Sequence, residues 1–389
     1  MRNRWFALAV LFVIRLTMAF QFQSVAAVAP LLGDTLGVSL ADIGWLIGLY
    51  FAPGLALALP GGAIGKRFGD RPTVMASLLL MLVGELAMAL SPSWPVQIAG
   101  RLVSGAGGVM FNVQMTKMVA DWFAGQEIAT AMAIFVNSWP AGIALSLVCL
   151  PLVATAFGVE AVYLTVAASI ALGLVFFAAA YPSPPKTTTT AKAGSSSWPD
   201  HTTFIALTAA GLIWGLFNVG FAMIFSFGPS MLNERGWSIS AAGSAISIVL
   251  WLAVISVPLG GFLADRIGRP NLILAGGCIV FAVLMLVLPR SDAVISTVTA
   301  IGLLSGLPVG PMMSLPARVL KAETRAIGMG IFYTLYYATM MLGPVVAGAA
   351  AKSTGQAAAA FDFGTIVLLA CPILLWAFNR LPQARPKVA

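Results

Sequence analysis

Twelve apolar stretches follow one another along this chain, each near the roughly 20 residues that a helix needs to cross the hydrocarbon core of a bilayer. Such runs cannot all be hidden from water in a soluble core. With 60% hydrophobic and 9% charged residues among 389, most of the surface must face lipid, where every backbone polar group has to be satisfied within its own helix. The chain therefore reads as an all-α membrane protein of twelve transmembrane helices. Six fall near 5–28, 41–63, 72–91, 96–119, 128–156 and 160–180, and six near 203–228, 240–262, 271–289, 293–316, 326–350 and 360–379.

The two sixes are copies of one block. Gly62-Ala-Ile-Gly-Lys66-Arg67-Phe-Gly69-Asp70-Arg71 and Gly261-Phe-Leu-Ala-Asp265-Arg266-Ile-Gly268-Arg269-Pro270 are versions of one short basic loop about 200 residues apart. Upstream, Pro30, Gly37 and Ser39 fall on Pro229, Gly236 and Ser238 at the same offset, in parallel order. Duplicated halves of a hydrophobic chain point to a transporter. The expected units are an N-terminal six-helix bundle over 1–180, a cytoplasmic linker over 181–202 and a C-terminal six-helix bundle over 203–389. The linker, rich in Pro, Thr, Ser and Lys, has almost nothing to bury and should let the bundles move against one another.

Lys and Arg fix the expected orientation, because short loops rich in them stay in the cytoplasm. Arg2, Arg4, Lys66, Arg67, Arg71, Lys186, Lys192, Arg266, Arg269, Arg318, Lys321, Arg325, Arg380, Arg385 and Lys387 share one side, against Arg235, Arg290 and Lys352 on the other. Both termini are then cytoplasmic, in an integral protein of a bacterial inner membrane. The net charge of +8 follows from topology and needs no nucleic-acid partner. Cys149, Cys278 and Cys371 lie singly in apolar segments and imply no disulfide framework. The single histidine, His201, sits at the linker, and no His, Cys and Asp cluster has ligand spacing, so no catalytic residue, metal or other cofactor is expected.

The paired basic loops, together with Arg101-Leu-Val-Ser-Gly105-Ala-Gly107-Gly108 on the fourth helix, resemble the signature motifs of the major facilitator superfamily. The resemblance covers nearly the whole chain. It implies two pseudo-symmetric six-helix bundles that rock about a central cavity, with the loop charges as gating groups and Arg101 taking part in the conformational cycle and proton coupling. Asp265 and Arg269 match the loop pattern. In the first copy Lys66 stands where an acid is expected and Asp70 where a base is expected, so the charge signs are exchanged. The Asn-Ser-Trp-Pro-Ala-Gly run on the fifth helix and the tyrosine-rich eleventh are similar to the cyanate and nitroimidazole permease branch, which implies a small anionic or flat polar solute.

Polar groups at membrane depth are costly and usually face a cavity or a partner. Arg15 lies near the middle of the first helix with no carboxylate at the centre of any other. It reads as a docking group for an anion, or as a cap for backbone carbonyls, or as a partner of Glu85. Glu85 and Arg101 share a depth and are expected to pair; Glu85 is otherwise a proton site. Lys117 reads as a residue snorkelling to the interface. At 100° per residue Gln23 lies within about 80° of Arg15, whereas Gln21 points away. Asn112 lies on the Arg101 stripe with Gln114 behind it. Asn137 and Asn218 supply amides that either bind solute or join helices. Tyr333 and Tyr337, one turn apart, form a pocket wall, a gate or a packing seam.

The expected protein is a monomeric secondary active transporter that moves a small anionic or polar solute across the lipid bilayer by alternating access. Protons are a possible coupling ion. A proton-coupled drug or metabolite efflux antiporter is the alternative.

Overall fold

The computed structural model describes residues 4–58, 67–123, 127–181, 198–321 and 324–381. Among these residues there is no strand, and eleven helical stretches are long and apolar enough to cross a membrane. The twelfth crossing element is the 29-residue helix Trp94–Trp122, which carries Gln97, Arg101, Asn112, Gln114, Lys117 and Asp121 along its length. The spans in chain order are Arg4–Ala27; Leu40–Leu49 continued by Gly54–Leu57; Asp70–Leu90; Trp94–Trp122; Ile128–Val136 continued by Ser138–Phe157; Val159–Ala180; His201–Glu234; Ile239–Ile267; Pro270–Val287; Val294–Ser305 continued by Val309–Val319; Arg325–Thr354; and Ala358–Arg380. Lys66 and residues 182–197 of the expected linker lie outside the described residues.

The duplication seen in sequence is a duplication of local devices. Gly37 and Gly236 both adopt positive φ, at 64° and 84°, a conformation that costs glycine little and other residues more. Two residues later, Ser39 and Ser238 each cap the N-terminus of the following span by accepting a backbone N–H. Gly69 and Gly268 likewise turn the chain at positive φ, at 89° and 67°, in the two basic loops.

Three spans are interrupted where proline withholds an N–H. The second breaks between Leu49 and Gly54, just before and at Pro53. The fifth breaks at Asn137, just before Pro140, and the tenth breaks at 306–308, ending at Pro308. Lipid offers no partner for the carbonyls this frees; Leu49 O and Leu304 O are taken by the backbone N–H of Ala52 and Leu307 in tighter turns, whereas the break at Asn137 draws a side chain from a neighbouring span. A short helix, Ala29–Leu36, runs between the first and second spans.

Glycines set how closely spans pack. A Cβ on Gly107 would meet the Ser77 carbonyl at 2.5 Å, so the third and fourth spans touch backbone to backbone. Contacts between the first six spans and the last six are distributed unevenly. The second and eleventh approach through Gly44, Gly48 and Gly348, where added Cβ atoms would meet Pro344 O, Met341 O and Leu40 O at 2.3, 2.2 and 2.6 Å. The eighth meets the fifth at Gly243, 2.2 Å from Leu147 O by the same measure. All these positions lie in the half of the molecule remote from the termini. The hydrogen bonds and ring contacts described between the two sets of spans lie at mid-depth. Asp265, Arg266 and Arg269 are exposed on the termini side, with the Arg266 guanidinium over its own neighbour Phe262 at 6.0 Å.

Candidate solute site between the two halves

Pro140 lacks the N–H that would bond the carbonyl of Val136, and the break at Asn137 exposes the carbonyl of Phe135 as well. Arg15 reaches into this gap from the first span. Its Nη1 donates to Phe135 O at 2.9 Å, Val136 O at 3.4 Å and Ser138 Oγ at 3.2 Å. Its Nη2 donates to Asn112 Oδ1 on the fourth span at 2.9 Å, and the guanidinium lies 4.5 Å from the centre of the Phe135 ring. The carbonyl-capping role is therefore filled.

That role does not exhaust the group. Arg15 is 8% exposed, its Nε–H has no partner, and among the described residues no carboxylate pairs with it. Pairing of Arg15 with Glu85 does not occur. Across from it, the eleventh span places Tyr336, Tyr337 and Tyr333 within electrostatic reach of the guanidinium. Tyr336 stacks on Trp214 of the seventh span with ring centres 6.3 Å apart. Tyr336 and Tyr337 both pack on Phe51 of the second span at 6.2 Å, and Tyr337 fills the space over Gly54. Phe22 continues the layer, stacked on Trp139 at 5.3 Å and edge-on to Phe225 at 6.0 Å. Aromatic rings from both halves thus form a floor at mid-depth, beyond which the halves are packed together.

The expected site residues divide on this geometry. Arg15 and Asn112 are joined directly, with Tyr333 and Tyr337 facing them. Gln23 is not part of the cluster: its Nε2 donates to Phe225 O at 2.6 Å across to the seventh span, taking the carbonyl that Pro229 leaves free four residues on. Asn137 also bridges the halves, through Val254 O on the eighth span at 3.5 Å. Asn218 bonds to its own helix, at Trp214 O, 2.7 Å away. Tyr336 was missed in the sequence, although it belongs to the same face as Tyr333 and Tyr337 once the i, i+3, i+4 spacing is applied.

A second polar cluster lies within the first half, and here one expectation is corrected. Glu85 and Arg101 do not pair, because three backbone carbonyls occupy the guanidinium. Arg101 donates from Nε to Leu46 O at 2.9 Å, from Nη1 to Gln21 O at 3.0 Å and from Nη2 to Phe22 O at 2.5 Å, over the Tyr50 ring at 4.8 Å. Gln21, dismissed in the sequence because it turns away from Arg15, stands between the two. Its Nε2 donates to Glu85 Oε2 at 2.9 Å, and also to Met81 O and to Ser104 Oγ. Glu85 is fully buried, and its Oε1 and the hydroxyl of Tyr163 both lack partners.

The loop charges have local partners. Asp70 accepts from Lys117 at 2.8 Å and from Gln114 at 2.5 Å on the fourth span. Lys117 also pairs with Asp121 at 3.0 Å, so its partly exposed ammonium holds two carboxylates within the first half. Arg67 is exposed, 5.5 Å from the Phe68 ring.

The profile of the Major Facilitator Superfamily matches residues 11–231 and 215–389. The methylenomycin A resistance protein of Streptomyces coelicolor is 25% identical over 226 residues, 57% of this chain and 43% of that protein. The lincomycin resistance protein of Streptomyces lincolnensis is 30% identical over 106 residues, 27% of this chain and 22% of that protein. The chain thus spans less than half the length of either relative. A crystal structure of a mutant of the nucleoside transporter NupG superposes over 97% of this chain and 100% of that one, with a TM-score of 0.76 at 14% identity. The match to the branch of cyanate and nitroimidazole permeases finds no support among these relatives. With the family profile matched along nearly its whole length and the fold shared end to end, this chain belongs to the Major Facilitator Superfamily.

Proposed function

We propose that this chain is a secondary active transporter that carries a small anionic or polar solute by alternating access, with Arg15 as the electrostatic anchor. The observation that carries this reading is the guanidinium itself: it is buried between two sets of spans, fixed by Asn112 and the fifth-span carbonyls, and left with an unpaired charge and an unpartnered Nε–H. A charge at this depth is costly without a counter-ion, and a solute anion would supply one. Contacts between the halves lie at mid-depth or on the side remote from the termini, which supports a state open toward the termini. The bias of Lys and Arg places the termini in the cytoplasm of a bacterial inner membrane, so that state is inward-facing. One chain contributes both walls of the site, and a monomer suffices. The two units are 1–180 and 203–389.

Thermal stabilisation of the purified protein by a panel of small anions, neutral polar solutes and lipophilic cations tests this reading, with Arg15→Ala alongside. A true ligand at 100 Kd stabilises by about 2.7 kcal/mol. Stabilisation by anions that is lost in Arg15→Ala is the expected result.

The names of the two resistance proteins favour a second reading, proton-coupled efflux of a drug or metabolite. On that reading Glu85, a buried carboxylate with one free oxygen, carries the proton, and stabilisation by lipophilic cations alone, unchanged in Arg15→Ala, would replace the first reading with it.

A further inference from the structure

The walls around Arg15 bear on which anions fit, given the solute-site reading above. Arg15 supplies a single positive charge, and the other buried arginine, Arg101, has all three nitrogens engaged by carbonyls. A second negative charge would enter a low-dielectric space with no partner, at large cost. The Arg15 donor without a protein partner is its Nε–H, which is buried in this state, and the hydroxyl of Tyr337 is already engaged by Asn112, so a single carboxylate is the most this group can take. The surfaces beside it are flat. Tyr336 and Trp214 are stacked with an interplanar angle of 28°, and both are only half-buried, so ring surface remains unpacked by protein. The guanidinium plane itself rests against Phe135.

We infer that the solute is a flat organic monoanion, an arene- or heteroarene-carboxylate, whose carboxylate docks on Arg15 and whose ring lies against the Tyr336–Trp214 pair. Ring-on-ring contact adds to simple burial, so a flat acid gains over a puckered acid of the same size and charge.

Four probes separate the parts of this inference: benzoate, cyclohexanecarboxylate, terephthalate and benzamide, titrated calorimetrically into the full-length protein in lipid nanodiscs. Wild type should bind benzoate about tenfold more tightly than cyclohexanecarboxylate, and at least tenfold more tightly than terephthalate or benzamide. Tyr336→Leu should erase the preference for benzoate over cyclohexanecarboxylate, while Tyr336→Phe, which keeps the ring, should retain it. Equal binding of the two monoacids by wild type overturns the flat-body inference and leaves the anion site standing. Terephthalate binding as tightly as benzoate overturns the single-charge inference. If neither monoacid binds, or both bind Arg15→Gln unchanged, the anion site itself fails and this inference with it.

Discussion

Arg15 divides one guanidinium: Nη1 repairs the broken fifth span, and the buried Nε–H has no protein partner, the donor that the proposed docking role assigns to the solute. Lysine cannot reproduce this, because a point-like ammonium does not span Asn112 and the Phe135 carbonyl together. We expect Arg15→Lys to fold but to weaken anion binding by about 10- to 100-fold, the loss of a hydrogen bond to a charged group at about 1.5–3 kcal/mol; unchanged affinity in calorimetry would refute the docking role. Arg101 differs in that each of its three nitrogens already donates to a backbone carbonyl. Arg101→Ala would remove three buried charge-assisted hydrogen bonds and leave a cavity, and we expect a loss of at least about 2–4 kcal/mol in unfolding stability, measured by thermal or denaturant melts, with a near-normal melt counting against the assignment. Glu85→Gln preserves an acceptor for Gln21, so the fold should persist. If Glu85 carries the coupling proton, uptake driven by an imposed pH gradient should vanish in this variant while solute exchange continues; retained pH-driven uptake excludes Glu85 as the carrier. The depth of these three groups was legible in the sequence, since helix rise converts residue count into depth. Their partners were not. Backbone carbonyls carry no sequence signature, and they outcompete Glu85 for Arg101.

At the level of elements, the twelve spans were legible because length and apolarity are what lipid demands, and the paired glycine and serine devices because the duplication repeats them in register. The breaks at 50–53, 137 and 306–308 were not. Pro229 and Pro258 are absorbed inside continuous helices while Pro140 and Pro308 sit at breaks, and the surroundings decide which. Glycines test the packing between elements in two distinguishable ways. Gly107→Leu wedges the third span from the fourth inside one half, and should lower stability by about 1–3 kcal/mol. Gly48→Leu wedges the second span from the eleventh across the halves, where the Met341 carbonyl stands 2.2 Å from a built Cβ. Its main effect should be to open the side remote from the termini, read as several-fold faster modification of Val345→Cys by an impermeant maleimide. Unchanged labelling would mean that this contact does not hold the side shut.

Across the whole molecule, the two halves are packed backbone to backbone on the side remote from the termini, with an aromatic floor and Arg15 at the boundary of that packing. The sequence conveyed the two-bundle plan but not which side is closed, because both arrangements satisfy the same apolar pattern. An alternating-access carrier must break the closed side to work. The most direct test is uptake of labelled benzoate into sealed proteoliposomes by the wild type, by Arg15→Gln, and by Val345→Cys after modification with an impermeant maleimide, the Val345 side chain lying 3.3 Å from a built Gly48 Cβ at the closed side. The account predicts uptake by the wild type, none by Arg15→Gln, and none once a bulky adduct at Val345→Cys keeps the closed side from re-forming. Uptake that survives Arg15→Gln would contradict it.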